Sequence, residues 1–100
     1  MQFIIESSGL PLDNRVVDLV QSKFEILEKI YDRVKNCLVV VKNENDDQKK
    51  DFQVKAHLAV SQKSMYAQGQ AETFEKALYK VVDKLTHQLQ RYKNEREEVW

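Results

Sequence analysis

The chain is short of the residues that break, cross-link or anchor a fold. Its 100 residues include two glycines, one proline and one cysteine. With so few breakers, most of the chain is expected in regular elements joined by short turns. The single cysteine, Cys37, cannot close an internal disulfide. Beside the apolar run Leu38 to Val41 it reads as a packed, reduced thiol, because no base stands near it in the sequence. No apolar run approaches the roughly 20 residues that a spanning helix needs, so no membrane partner is expected. The opening MQFIIESSGL has no basic lead, and Glu6 closes its short apolar run. It does not read as an export signal, and a cytoplasmic location is the expectation. An excess of one charge is also missing, since 16 Lys and Arg face 16 Asp and Glu. This argues against binding nucleic acid by bulk positive charge and leaves open binding by segregated charge.

The motifs of common chemistries are missing as well. There is no Gly-rich phosphate loop, no CxxC and no HExxH. His57 and His87 fall in different elements and share no evident ligands. Glu44, Asp46 and Asp47 could attract a cation, but EF-hand spacing is lacking and a solvated loop explains them. Neither an enzyme nor a metal or other cofactor is expected.

What is present is periodicity. Residues 2–6 (QFIIE) read as a short strand, and SSGLPLDN is turn chemistry, with Asp13 or Asn14 placed to cap a helix. From Arg15 to about Val34 the apolar residues Val16, Val20, Phe24, Leu27, Tyr31 and Val34 recur in steps of three and four, the helical period. Asn36 to Lys42 is β-branched and reads as a second strand, and NENDDQKK (43–50) reads as a polar loop at a hairpin tip. Phe52, Val54, Ala56, Leu58 and Val60 then alternate with polar or small residues, which marks a strand with one buried face. A turn at residues 61–63 leads to a fourth strand, SMYAQGQA. Thr73 can cap a last helix whose apolar residues run from Phe74 to Tyr92 and which is expected to end near Arg96.

The order is β-α-β-β-β-α. Strands joined by a helical crossover should pair in parallel, and the three later strands should form an antiparallel meander. Each helix has one apolar stripe. The expected fold is therefore α+β, a four-stranded mixed sheet with both helices on one face. Residues 1–96 are expected to form one domain, with 97–100 (EEVW) as a tail. The opposite face of the sheet should turn Gln53, Lys55 and His57 toward water. Tyr66 and Phe52 fall on strands, where core or rim packing accounts for them, and no aromatic-rich strand motif for stacking single-stranded bases is visible.

The charges are sorted. A helical residue turns through about 100°, so Lys76, Lys80, Lys84, His87 and Arg91 fall within roughly 80° of one another. Asp83 is the only acid near this stripe. A solvated face usually mixes signs, because like charges at i,i+4 cost a few tenths of a kcal/mol. Lys76, Lys80 and Lys84 repeat that unfavourable spacing, which suggests an anionic partner, although a solvated helix face also accounts for it. On the first helix, Glu25, Glu28 and Asp32 lie on one flank, and Arg15, Lys29 and Arg33 lean to the other. Lys23 falls inside the apolar arc. Either its stem lies along the core edge with the ammonium in water, or it points into a groove between the helices. A phosphate contact needs only a cation with reach and little desolvation, so these side chains suffice.

These residues carry a resemblance that covers the chain from its first strand to about Lys93. Lys23-Phe24, Leu27-Glu28 and Tyr31-Asp32-Arg33 on the first helix, with Lys84-Leu85, His87-Gln88-Leu89, Arg91 and Lys93 on the second, resemble the ribosome hibernation promoting factor and protein Y family, also called ribosome-associated inhibitor A or sigma-54 modulation proteins. The element order is also the family's. The resemblance implies a bacterial stress factor that binds the small (30S) subunit through 16S rRNA at the mRNA and tRNA channel and reversibly inhibits translation. It implies RNA contacts by Lys23, Arg33, Lys76, Lys80, Lys84, His87, Arg91 and Lys93, with His87 standing where the family usually carries Arg. Because the sequence ends soon after the second helix, it resembles the short members. Some of these act with a separate ribosome modulation factor, and a monomer is expected off the ribosome. Two other readings stay open. One is a double-stranded-RNA-binding module, whose α-β-β-β-α order is contained here, although AETFEKA lacks that family's Lys-Lys cluster. The other is a protein-interaction adaptor using the open sheet face or the EEVW tail, where Trp100 either folds back or anchors a partner.

Overall fold

The structure is a computed structural model that describes residues 1–46 and 49–98, with the side chains of 1–43 and 52–95. The elements are β1 (Gln2–Ser8), α1 (Asn14–Ile30), β2 (Val34–Asp46), β3 (Lys49–Val60), β4 (Lys63–Ala71) and α2 (Phe74–Glu98). They form one four-stranded sheet in the order β1-β2-β3-β4. β1 pairs parallel with β2, and the other two pairs are antiparallel. The α+β architecture expected from the pattern is the one observed.

The alternation in the strands decides which side is covered. Cys37, Val39 and Val41 of β2 lie beside Leu58, Ala56 and Val54 of β3 and are buried. Met65 and Ala67 of β4 continue the same face. Against it pack Val20, Phe24 and Leu27 from α1, and Ala77, Leu78, Val81, Leu85 and Leu89 from α2. Phe24 meets Phe3 of β1 with ring centroids 5.7 Å apart. No buried polar or charged residue interrupts this core among the described residues.

Local chemistry sets the ends. Asp13 caps α1, its carboxylate accepting from the Val16 N–H at 2.9 Å. Thr73 caps α2 by accepting from the Lys76 N–H at 3.2 Å. After β1 the chain turns at Gly9, whose φ of 84° suits glycine.

Three boundaries differ from the pattern-based expectation. α1 stops at Ile30 rather than near Val34, because Tyr31 is extended at φ −147° and ψ 116°. Val34 fits both the helical stripe and a strand, and its pairing with Val60 makes it the first residue of β2. The expected loop at 43–50 is largely strand, since β2 runs to Asp46 and β3 begins at Lys49. Ladder hydrogen bonds are made by the backbone, so polar side chains do not stop a hairpin from extending. α2 runs on to Glu98, which takes in part of the expected tail. The suggested cation site at Glu44, Asp46 and Asp47, and the role of Trp100, lie outside the described residues and side chains.

Candidate nucleic-acid interface

The site begins with a close approach. A Cβ at Gly69 of β4 would lie 2.7 Å from the Ala77 carbonyl oxygen and 3.0 Å from the Lys80 Cβ. Only glycine lets α2 settle this near the edge strand. The helix rises about 6 Å every four residues, and a strand advances about 6.7 Å every two. The two rhythms nearly match, and the elements run in opposite directions. Side chains at i, i+4 and i+8 of α2 therefore reach successive outward carbonyls of β4. Lys80 Nζ donates to the Gln70 oxygen at 2.9 Å, Lys84 Nζ to the Gln68 oxygen at 2.6 Å, and Gln88 Nε2 to the Tyr66 oxygen at 3.0 Å.

This ladder does two things. It satisfies an edge that would otherwise present open carbonyls to another strand. It also fixes two ammonium groups at a regular spacing, and each keeps two further N–H donors. Both lysines stay exposed. Among the described residues, no carboxylate lies within ion-pair distance of Lys76, Lys80, Lys84 or Arg91. The nearest acid on the stripe, Asp83, stands 3.8 Å from His87 Nδ1, an ion pair only when the imidazole is protonated.

The ridge continues toward the far end of α2. Arg91 lines a shallow groove with Lys63, Met65, Gln88, Tyr92 and Glu95. The Lys63 ammonium lies over the Tyr92 ring, 5.7 Å from its centroid, within cation–π range. Lys63 and Gln88 are not among the RNA contacts expected from the sequence, where Gln88 enters only as part of the His87-Gln88-Leu89 motif. Gln88 had a signal, since it extends the 80–84 spacing by four. Lys63 had none, because only the packing of β4 under α2 brings it near Arg91.

The remaining candidates lie elsewhere. Lys23 is half-buried in a groove of about 240 Å³ between the helices, lined also by Leu19, Glu75, Leu78 and Tyr79. Lys84 reaches β4 on the opposite flank of α2, so Lys23 and Lys84 do not form one continuous patch. Lys93 lies about 140° round the helix from Lys80 and is half-buried. Arg33 is exposed in the turn after α1, and the contact of Tyr31 with Tyr92 at 5.6 Å brings that turn to the level of Lys93. Lys76 is exposed in the first turn of α2. The cations form a ridge along β4, a groove between the helices, and a cluster at their far end.

The other reactive groups do not converge on this surface. Cys37 is buried, and desolvation pushes its thiol up to about 12. That thiol is a poor nucleophile at neutral pH. Among the described residues no group of three or more His, Cys, Asp or Glu is placed to hold a metal ion, and no helix is long and apolar enough to cross a membrane.

A family model described as Sigma 54 modulation protein / S30EA ribosomal protein matches residues 3–97. The chain belongs to this family. Two solved structures share the fold of this S30EA family member at low sequence identity. One, a ribosomal subunit interface protein from Coxiella burnetii, is 18% identical with a TM-score of 0.81, over 94% of this chain and 99% of that one. The other, the N-terminal domain of Protein Y from Thermus thermophilus, is 18% identical with a TM-score of 0.80, over 92% of this chain and 99% of that one. At this identity they establish the fold of the family member and nothing finer. No curated protein matches its sequence.

Proposed function

We propose that this protein binds the small ribosomal subunit through 16S rRNA and reversibly inhibits translation under stress by occupying the mRNA and tRNA channel. Its family and the subunit-interface protein that shares its fold support a ribosomal setting. The observation that carries the RNA contact is the ridge on α2. A molecule with no net charge exposes Lys76, Lys80, Lys84 and Arg91 without an ion pair to any described carboxylate, and two of these ammoniums are already positioned by carbonyls of β4. Pre-positioning lowers the ordering cost of each phosphate contact. Lys63 adds a cation beside Arg91, while Lys23, Arg33 and Lys93 reach separate segments of RNA. The work is binding rather than catalysis, its setting is the bacterial cytoplasm, and the protein is a monomer off the ribosome.

The test is cosedimentation with 30S subunits. Binding should weaken steeply between about 50 and 200 mM salt, as phosphate contacts do. Replacing Lys84→Glu and Arg91→Glu together should abolish it while leaving the helix content unchanged. A double variant that sediments with 30S like the parent would overturn the proposal. Binding to free duplex RNA but not to 30S would replace it with a duplex-binding module, and binding to neither would leave a protein-interaction adaptor.

A further inference from the structure

The face of the sheet that the helices leave open has an organisation that the helical ridge does not use. The strand register aligns its side chains in rows across all four strands. One row is Ile4, Leu38, His57 and Tyr66. The next is Glu6, Val40, Lys55 and Gln68, and beyond it Ser8, Lys42, Gln53 and Gln70. In the first row the His57 and Tyr66 rings lie with centroids 4.7 Å apart and planes inclined by 50°. Ile4 is 56% and Tyr66 43% exposed, large values for apolar bodies on a sheet. Tyr66 is also held in place: its hydroxyl donates to Gln68 Oε1 at 2.9 Å, and its carbonyl accepts from Gln88.

We propose that this open face is a second RNA-contacting surface that receives unpaired bases of a single strand. Tyr66 and His57 supply a stacking platform, and Ile4 and Leu38 extend its apolar floor. Gln53 and Gln68 offer both donors and acceptors to base edges, and Lys42 and Lys55 take the phosphates. Stacking on aromatic side chains beside a cationic track is the general means of holding single strands, and it tolerates any base because every base has a π-face.

A second copy of the chain is a poorer fit. A homodimer through this face would bury Lys42, Lys55 and Glu6 in an interface centre, where charged residues are depleted. A ligand that carries its own hydrogen-bonding edges and anionic backbone meets the two lysines without that cost, and its phosphates run on the Lys42 and Lys55 side, clear of Glu6 on β1. The surface lies on the reverse of the sheet from the ridge and is independent of the proposal for α2.

The experiment is fluorescence anisotropy of the full chain with a labelled single-stranded oligoadenylate of about eight nucleotides, a length within one typical single-strand site. Tyr66→Ala should weaken binding about tenfold, within the range for loss of one stacked base. Tyr66→Phe keeps the ring and should bind like the parent. His57→Ala should lose less. Because both positions are exposed, circular dichroism should show all variants folded. Amide resonances of Ile4, Leu38, His57 and Tyr66 should shift on titration. The proposal fails if the oligoadenylate does not bind, if Tyr66→Ala binds as well as the parent, or if the shifts map to α2 alone. Failure of the ridge reading would show instead as unchanged 30S cosedimentation of the Lys84→Glu, Arg91→Glu variant, and it would leave these results untouched.

Discussion

The two faces of this sheet come from the same strands and obey opposite rules. On the covered face, Val39, Val41, Val54, Ala56 and Leu58 are fully buried under the helices. On the other, their immediate neighbours Val40, Lys55 and His57 stay half-buried or exposed. One residue of register separates the two environments, which is why slippage is strongly resisted in strands with one dry face. The covered face stabilises the molecule. The open face and the outer ridge of α2, being exposed, are expected to contribute little to stability.

That contrast can be broken or sharpened by substitution. The largest effect is expected at Leu58, fully buried in β3. Leu58→Ala should cost about 2–5 kcal/mol in a urea titration. A cost below about 1 kcal/mol, the level of a tolerated swap, would mean that the core is loosely packed. Gly69→Ala comes next, because its new Cβ meets helix backbone rather than a flexible side chain. A loss of about 1–3 kcal/mol is expected, the usual range for overpacking. The same variant should weaken 30S binding, since moving α2 off β4 pulls Lys80 and Lys84 away from their carbonyls.

A smaller effect follows from Cys37. Its thiol has a raised pKa in the fold, so the folded state favours the protonated form. The stability linked to it is fully present below the ordinary thiol value and is lost as pH rises toward about 12. Thermal melts of the parent should therefore fall faster above pH 9 than those of Cys37→Ala, with 9.0 the unperturbed value. Parallel curves would show that the thiol is not desolvated. Lys84→Met should cost at most about 1 kcal/mol, the net worth of one exposed hydrogen bond. Its more telling readout is self-association by analytical ultracentrifugation, which should rise if the ladder protects the β4 edge. Ile4→Ala on the open face should stay within about 0.5 kcal/mol, as surface changes do. A larger loss would show that the open face is structural.

Much of this was legible in advance. The steps of three and four from Val16 to Leu27 gave α1, and the alternation from Phe52 to Val60 gave the covered face of β3. Asp13 or Asn14 marked the helix start, and Asp13 is the one whose carboxylate satisfies an otherwise unpaired N–H. The cationic stripe on α2 was legible as a stripe. What it touches was not, since the match of Lys80, Lys84 and Gln88 to β4 needs the helix laid against the strand. Tyr66, expected in the core or at its rim, stands exposed on the edge strand beside His57, which fits the rim and not the core. Nothing in the spacing of those two residues marks them as neighbours across a register.

The sequence by itself determined the elements, their order and the face each buries, because these follow from periodicity and capping, which act over a few residues. Only the tertiary structure decided how far the β2–β3 hairpin runs, which cations share a surface, and which side chains line up in rows across the whole sheet. Those outcomes depend on contacts between residues far apart in the chain, such as Gly69 with Ala77 or His57 with Tyr66. Distance along a chain carries no record of which surfaces will meet once hydrophobic burial brings them together.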